Sequence, residues 1–292
     1  MTINNGIIKI DVAEHGAELL SLMKNNYEYL WNASPNFWAR HAPILFPIVG
    51  RVWNDVICID NERYSLSQHG FARDMDFTVI GKGDTSLFLQ LVSDETTLQK
   101  FPYHFELNVS YHLNKNKVYV TYEVVNTGVD TMFFQAGAHP GFFLPRHGKS
   151  VDNKFVLFSD EEGLKPLDNV TISSIGEKGC LSSEKKNLRL DAGVISITPE
   201  LFNHDALIFE DSQVRCVTIK DADNQDYISV VFDAPVLGLW SPNGKNAPFV
   251  CIEPWHGRCD REDFTGDISE KEWINRLDAG KNFVMEFCIV MH

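Results

Sequence analysis

Residues 105–125 read FELNVSYHLNKNKVYVTYEVV, and this stretch decides the class of fold. Apolar and polar residues alternate along 105–113, and extended residue types continue along 118–125. Between them, residues 114–117 are polar, and their two asparagines favour a turn. Period-two patterning on both sides of a short polar turn is typical of an antiparallel β-hairpin that buries one face. We therefore predict a hairpin here.

The same pattern recurs elsewhere in the chain, with β-branched and aromatic runs separated by Gly, Asn and Asp. We predict two further hairpins: strands 77–80 and 87–92 around the turn 81–86, and strands 214–220 and 227–232 around the turn 221–226. A further extended run is expected at 132–137, after the break at 126–128. Strands do not alternate regularly with helices, which disfavours a parallel βαβ sheet. The sequence predicts an all-β fold, one large antiparallel β-sandwich formed by a single domain, residues 1–292.

Helical signals are few. Residues 93–100 are compatible with one short helix. A second helix is predicted to begin at Ser269, because Glu272 three residues later completes the pattern of a capping box. Trp273, Ile274 and Leu277 would then share one face, and Gly280 stands where such a helix would end.

Composition excludes several classes of function. The net charge is −14, from 26 basic and 40 acidic residues, and no run of Lys and Arg offers a footprint for nucleic acid. No segment approaches the roughly 20 apolar residues that span a bilayer. The six cysteines form no C-x-x-C pair and do not resemble a disulfide scaffold. We expect a cytoplasmic protein without nucleic-acid or membrane partners. Its oligomeric state is left open.

Three stretches do not read as ordinary strands or turns. They are FPIVGR at 46–51 with HGFAR at 69–73, GAHPGF at 137–142, and IEPWHGR at 252–258. Each combines apolar residues, which hold a position, with titratable groups and a proline or glycine. That combination suits side chains fixed at the rim of a concave sheet, although the sequence alone does not show that they meet.

Each titratable residue in these stretches could instead have a purely structural role. His139 beside Pro-Gly could be a turn residue or a core histidine, and Arg51 could be a solvated charge at a strand end. His69 and Arg73 could belong to a surface turn. Glu253 follows four apolar residues, so a carboxylate there must be paired, hydrogen-bonded or functional.

Five motifs together resemble the aldose 1-epimerase (galactose mutarotase) family, particularly its LacX-type branch. They are FPIVGR at 46–51, HGFAR at 69–73, GAHPGF at 137–142, DALIF at 205–209 and CIEPW at 251–255. They occur in the family's order across nearly the whole chain. The resemblance implies a galactose mutarotase-like β-supersandwich, with a small-molecule sugar bound in an open cleft on one sheet.

The resemblance also implies roles for individual residues. His139 corresponds to the family's general acid and Glu253 to its general base. The implied substrate-binding residues are Arg51, His69, Arg73 and Asp205. Here the chain departs from the common pattern, which places Asp before His, because it reads Asn203-His204-Asp205. Trp255 and Phe142 could lie beneath the sugar, but we expect them in the core.

The implied reaction interconverts the α and β anomers of a free aldohexose such as galactose or glucose. The C1 hydroxyl loses a proton while the ring oxygen gains one, so we expect an acid and a base on opposite sides of the C1–O5 bond. This chemistry needs no metal and no redox cofactor, and we expect neither.

Alternative functions remain open from the sequence. HGFAR also resembles the hexose-6-phosphate 1-epimerases, in which Arg51 and Arg73 could hold the phosphate. Asp205 and Glu253 could be the two carboxylates of a glycosidase, which would leave His139 without a role. A non-catalytic carbohydrate-binding protein is a third class. A metal enzyme is disfavoured because the sequence contains no compact ligand cluster such as H-x-H.

Overall fold

The structure is a computed structural model that describes residues 1–145, 153–198 and 200–292. Within these ranges the strands are β1 Thr2–Asn4, β2 Ile8–Val12, β3 Leu19–Lys24, β4 Tyr27–Glu28, β5 Ile44–Leu45, β6 Val56–Ile59, β7 Glu62–Ser65, β8 Thr78–Lys82, β9 Ser86–Val92, β10 Phe105–Asn114, β11 Lys117–Asn126, β12 Met132–Phe134, β13 Ala136–Ala138, β14 Gly141–Phe143, β15 Lys154–Phe158, β16 Asn169–Ile175, β17 Leu181–Arg189, β18 Val194–Ser196, β19 Leu207–Phe209, β20 Cys216–Lys220, β21 Asp226–Phe232, β22 Val236–Trp240, β23 Phe249–His256, β24 Asn275–Leu277 and β25 Asn282–Met291. The helical segments there are α1 Glu95–Leu98 and the 3₁₀ turns Trp53–Asp55, Ala72–Asp74, Glu177–Gly179 and Ile268–Glu270.

The all-β prediction is confirmed, and two large antiparallel sheets form most of the molecule. One has the order β18-β15-β20-β21-β25-β11-β10-β9-β8, and the other has the order β17-β16-β19-β22-β23-β13-β5, with β14 also paired to β23. The three predicted hairpins are all present, as β10–β11, β8–β9 and β20–β21. Each is a pair of strands adjacent in the sequence, which is why a local pattern predicts it.

The main core contains the inward faces of both sheets. In β10 the side chains alternate between buried and partly exposed, and the buried set begins with Phe105, Leu107 and Val109. These residues belong to the same apolar cluster as Val250 and Ile252 of β23. That cluster includes residues from both ends of the chain, from Ile3 to Met291.

The two predicted helices have different outcomes. The first is confirmed in a shorter form: Asp94 caps α1 by accepting a hydrogen bond from the Thr97 N–H at 2.8 Å. The second prediction is wrong. Asp267, not Ser269, caps the segment, and the 3₁₀ turn that it starts ends at Glu270.

The chain then becomes extended because tertiary contacts override the local helix signal. Trp273 has φ +57°, which no α-helix accommodates, and its indole N–H donates to Glu210 Oε1 at 2.9 Å. Residues Asn275–Leu277 form β24 and pair with β12. Gly280 lies in the following turn. None of the described helices has the length and apolar character needed to cross a membrane.

Strand β23 has two different faces, and this positions the functional residues. Val250 and Ile252 point into the main core, whereas Cys251 and Trp255 belong to separate apolar clusters on the opposite face. Because side chains alternate along a strand, Glu253 shares the face of Cys251 and Trp255. The seven residues from Phe249 to Trp255 are all buried, so the carboxyl of Glu253 is held among apolar neighbours.

The loop that carries His69 also depends on a close backbone approach at Gly70. Gly70 has φ +71°, and a Cβ added there would lie 2.3 Å from the Phe46 carbonyl oxygen. Glycine is therefore required both by the backbone conformation and by the lack of space.

We predict that Gly70→Ala lowers the free energy of unfolding by two contributions. The first is the cost of placing alanine in a left-handed conformation. The second is about 2 kcal/mol or more, because the backbone of Phe46 must move to make room for the added Cβ. The matched control is Gly280→Ala, since Gly280 has φ +70° but nothing within 4 Å of the added Cβ. Chemical denaturation of both variants measures the difference. Equal losses in the two variants would contradict the packing argument.

Candidate functional site

His139 lies directly opposite Glu253 because of the register between neighbouring strands. Gly137 of β13 pairs with Trp255, and Gly141 of β14 pairs with Cys251. The register is the same on both sides of His139, so this residue faces Glu253 across the antiparallel pair. Both side chains lie on the same face of the sheet. Residues 114 positions apart in the sequence therefore become cross-strand neighbours.

The tips of the two side chains are in contact. His139 Nε2 lies 3.1 Å from Glu253 Oε2, and the residues are 7% and 1% exposed. The contact does not have the orientation of a hydrogen bond, since Glu253 Oε2 has no hydrogen-bond partner among the described residues. The other ring nitrogen, His139 Nδ1, has none among them either. A buried polar atom without a partner costs about 1–3 kcal/mol. Both atoms are thus available to a ligand that could satisfy them.

Two tryptophan rings contact the imidazole of His139, and a third aromatic ring supports one of them. Trp38 stacks on it, with ring centroids 4.8 Å apart and planes 27° apart, and Trp240 meets it edge to face at 5.5 Å. Trp38 in turn stacks on Phe249 of β23. These contacts restrict rotation of the His139 ring and exclude water from one of its faces. The sequence analysis missed Trp38 and Trp240, which lie outside the family motifs.

Burial shifts the pKa values of the pair in opposite directions. Burial, together with the positive charges of Arg73 and Arg40, lowers the pKa of His139 to about 3, against a backbone hydrogen bond that raises it. Burial raises the pKa of Glu253 well above its ordinary value, and the negative charge of Asp205 adds to the rise. The indole N–H of Trp255 opposes that rise, although it makes no hydrogen bond of ordinary geometry. Desolvation thus favours the uncharged form of both groups.

His69 is held next to the pair by its backbone and its ring. Its N–H donates to the Gly50 carbonyl at 2.8 Å, and its Nδ1 accepts from the Gly50 N–H at 3.1 Å. Since Nδ1 is an acceptor, the ring proton is on Nε2. Burial and the neighbouring His139 lower the pKa of His69 well below its ordinary value. His69 is therefore a neutral hydrogen-bond donor, with its ring centroid 5.5 Å from that of His139.

The other predicted binding residues lie around the pair. Arg73 is in the 3₁₀ turn after His69, and its guanidinium donates to the Gln68 carbonyl at 2.6 Å. Its Nε lies 3.8 Å from Asp74 Oδ2 and makes no hydrogen bond to a described residue. Arg51 is 41% exposed and lies 3.3 Å from Asp55. Asp205 is exposed, has φ +69°, and precedes β19. Asp205 lines the same cleft as Glu253 despite the departure from the family pattern.

These residues line one open cleft of about 930 Å³. It lies on the outer face of the large sheet that contains β23. The structure brings all six predicted residues to its wall: Arg51, His69, Arg73, His139, Asp205 and Glu253. Trp255 lies in the wall as well as in an apolar cluster, whereas Phe142 is entirely in the core, as expected. Lys178 is a further wall residue that the sequence analysis missed.

One geometric expectation needs correction. An acid and a base were expected on opposite sides of the C1–O5 bond, but His139 and Glu253 are adjacent on one face of the sheet. Adjacent groups can still reach both reacting oxygens of a hemiacetal, because O1 and O5 are bonded to the same carbon.

Comparison with known proteins gives a consistent result. The model of the family described as aldose 1-epimerase matches residues 1–270. The plasmid-encoded protein LacX of Lactococcus lactis subsp. lactis is 31% identical over 294 residues, which cover 96% of each chain. A galactose mutarotase related enzyme from Lactobacillus acidophilus has a similar structure, with a TM-score of 0.92 and 35% identity over 100% of this chain and 97% of that one.

A galactose mutarotase-like protein from Lactobacillus casei also has a TM-score of 0.92, with 31% identity over 100% of this chain and 99% of that one. These neighbours confirm the prediction of a galactose mutarotase-like fold.

We predict that the imidazole of His139 stays uncharged at pH 5, where an ordinary histidine is mostly protonated. Its pKa of about 3 means that protonation begins only as the pH falls further. Trp38→Ala should raise this pKa toward the ordinary value, because it admits water to the face that Trp38 covers. Nitrogen-15 NMR titration measures the midpoint.

The matched control is Trp53→Ala, since Trp53 packs against Lys178 and is not among the rings that contact His139. An unchanged midpoint in Trp38→Ala, or equal shifts in both variants, would show that Trp38 does not desolvate the imidazole.

Proposed function

The chain belongs to the aldose 1-epimerase family, and from this premise we propose that it is an isomerase that interconverts the α and β anomers of a free aldohexose such as glucose or galactose. The observation that carries the proposal is the buried pair of His139 and Glu253, with unpartnered polar atoms at the wall of a cleft. A pyranose in that cleft would supply the missing hydrogen-bond partners through O1 and O5.

In the proposed mechanism, Glu253 accepts the proton of the C1 hydroxyl and His139 donates a proton to the ring oxygen. The C1–O5 bond then opens to an aldehyde, the C1–C2 bond rotates, and the ring closes on the other face of the carbonyl. Closure returns the proton from O5 to His139 and the proton from Glu253 to O1. Each positioned acid or base typically contributes a factor of about 10²–10⁴ to the rate.

Desolvation suits the pair to this task. Burial favours the neutral carboxyl and the neutral imidazole, so in the proposed resting state of the empty cleft the proton that the pair exchanges is on Glu253. Transfer of this proton to His139, 3.1 Å away, produces the carboxylate and imidazolium that the mechanism uses. The carboxylate so formed is a strong base and the imidazolium a strong acid, because both charged forms are poorly solvated. Hydrogen bonds to the sugar stabilise these charges while the substrate is bound.

The surrounding residues have proposed binding roles. His69 donates its Nε2–H to the oxygen that develops carbonyl character, an electrostatic contribution of a familiar kind. Arg73 and Asp205 offer a donor and an acceptor to other sugar hydroxyls, and Arg51 does so from the outer wall. Trp38 and Trp240 orient His139. We also propose a cytoplasmic location, which the six free cysteines support.

We predict that Glu253→Gln lowers the rate of anomer exchange by at least 10²-fold while sugar binding is largely retained, because the amide keeps the shape but cannot accept the proton. His139→Asn should lose a comparable factor. Polarimetry on freshly dissolved α-glucose and α-galactose measures the rate, and NMR titration measures binding. Exchange at the wild-type rate in either variant would remove that residue from proton transfer.

A second candidate substrate is a hexose 6-phosphate, because Arg51 and Lys178 lie at the same wall of the cleft. A Cβ at Gly179 would meet the Arg51 side chain at 2.9 Å, so the two cationic residues are close neighbours. Against this reading, Asp55 pairs with Arg51, and Asp205 adds a further negative charge at the wall. These carboxylates would repel a phosphate dianion, and we therefore favour free sugars.

We predict that the kcat/KM for glucose is at least as high as that for glucose 6-phosphate. Arg51→Gln should change the two values by similar factors, since no phosphate has to be held. Arg63→Gln is the matched control, because Arg63 is exposed and lies outside the cleft wall. A preference for the phosphorylated sugar that Arg51→Gln removes and Arg63→Gln preserves would establish the second candidate.

A further inference from the structure

A buried cysteine lies beside the pair of His139 and Glu253, and the proposed mechanism does not use it. Cys251 precedes Glu253 by two residues on β23, so both side chains are on the same face of the strand. Cys251 is 0% exposed and is a free thiol. One imidazole nitrogen of His139, Cys251 Sγ and one carboxylate oxygen of Glu253 all lie within 4.8 Å of one another.

We propose that His139, Cys251 and Glu253 form a site for Zn²⁺, and that the bound ion blocks proton transfer. The inhibition rests on the proposed function, whereas the binding does not. Thiolate, imidazole and carboxylate are the ligand types that Zn²⁺ takes in proteins. The thiolate selects against Mg²⁺ and Ca²⁺, which prefer oxygen ligands.

The geometry requires only a small closure around the ion. A tetrahedral Zn²⁺ with bonds of about 2.0–2.3 Å holds its ligand atoms roughly 3.3–3.6 Å apart. His139 Nε2 and Glu253 Oε2 are already 3.1 Å apart, so the adjustment falls mainly on the thiol, by about one ångström. Upon binding, the Cys251 thiol and the protonated carboxyl of Glu253 each give a proton to solvent, and they coordinate as thiolate and carboxylate.

Two features of the site favour metal binding over a purely structural cluster. Glu253 Oε2 has no hydrogen-bond partner among the described residues although Glu253 is more than nine-tenths buried, so coordination would satisfy a buried carboxylate oxygen. His139 and Glu253 also line the cleft, which leaves the fourth zinc position open to water. Three protein ligands with one open position are a common zinc arrangement.

The consequence for the enzyme follows from the identity of the ligands. A nitrogen lone pair of His139 and an oxygen lone pair of Glu253 would be bound to the ion, so neither group could exchange a proton with a sugar. Zn²⁺ should therefore act mainly on kcat. Because Cys251 has no part in the proposed proton transfer, replacing it should remove zinc sensitivity and leave the basal reaction intact.

The test uses Co²⁺ as a spectroscopic substitute for Zn²⁺, because a thiolate ligand gives an intense ligand-to-cobalt charge-transfer band. The wild-type protein should bind one Co²⁺ with this band, and added Zn²⁺ should displace it. Cys251→Ser should lose the band and require at least tenfold more Zn²⁺ for half-inhibition of anomer exchange. Cys251→Ala should behave in the same way, and thermal melting verifies that both variants fold.

Cys259→Ser is the matched control, since Cys259 is also buried and lines the same cleft but lies outside the cluster. It should keep both the cobalt band and the zinc sensitivity. The proposal is overturned if Cys251→Ser retains the band, if Cys259→Ser loses it, or if the wild-type protein shows no thiolate band. Absence of anomer exchange with an intact cobalt band would contradict the proposed function alone.

Discussion

Desolvation of one imidazole beside one carboxyl group is the constraint on which the site depends. His139 and Glu253 are brought together by the register of β13, β14 and β23, which is the same on both sides of His139. Leaving two buried polar atoms unpartnered costs about 1–3 kcal/mol each. The two packed sheets compensate for this cost with a main core that includes residues from both ends of the chain. A polar pair of this kind in a well-packed sheet indicates function rather than stability.

The large sheet that contains β23 contributes to both the core and the cleft, because side chains alternate between the two faces of each strand. Along β23, Val250 and Ile252 contribute to the core that the two sheets share, while Glu253 and Trp255 face the cleft. Glycine at position 137 makes room for this arrangement, since a Cβ there would lie 2.7 Å from the Trp255 ring. The positions of His139 and Glu253, the proposed acid and base, are therefore set by backbone pairing between strands.

Features with a local cause could be predicted from the sequence, and features that depend on long-range pairing could not. The hairpin at 105–125 was evident because both strands and their turn are contiguous. The helix predicted from Ser269 was wrong because β24 pairs with β12, about 140 residues earlier. All six site residues came from family motifs, yet their contact distances depend on strand register. The proximity of Cys251 to His139 and the packing of Trp38 on that ring required the structure.

The pair of His139 and Glu253 is suited to a reaction that must run in both directions. Anomer exchange begins and ends with a closed ring, so the catalyst must recover its original protonation state after each passage. A pair that shares a single proton meets this requirement, because whichever group donates in ring opening accepts in ring closure. Burial favours the neutral arrangement of the pair by destabilising the isolated charges, and hydrogen bonds from a bound sugar would stabilise the charged arrangement. The raised pKa of Glu253 and the lowered pKa of His139 are therefore one physical effect, and in the proposed reaction it would serve ring opening and ring closing equally.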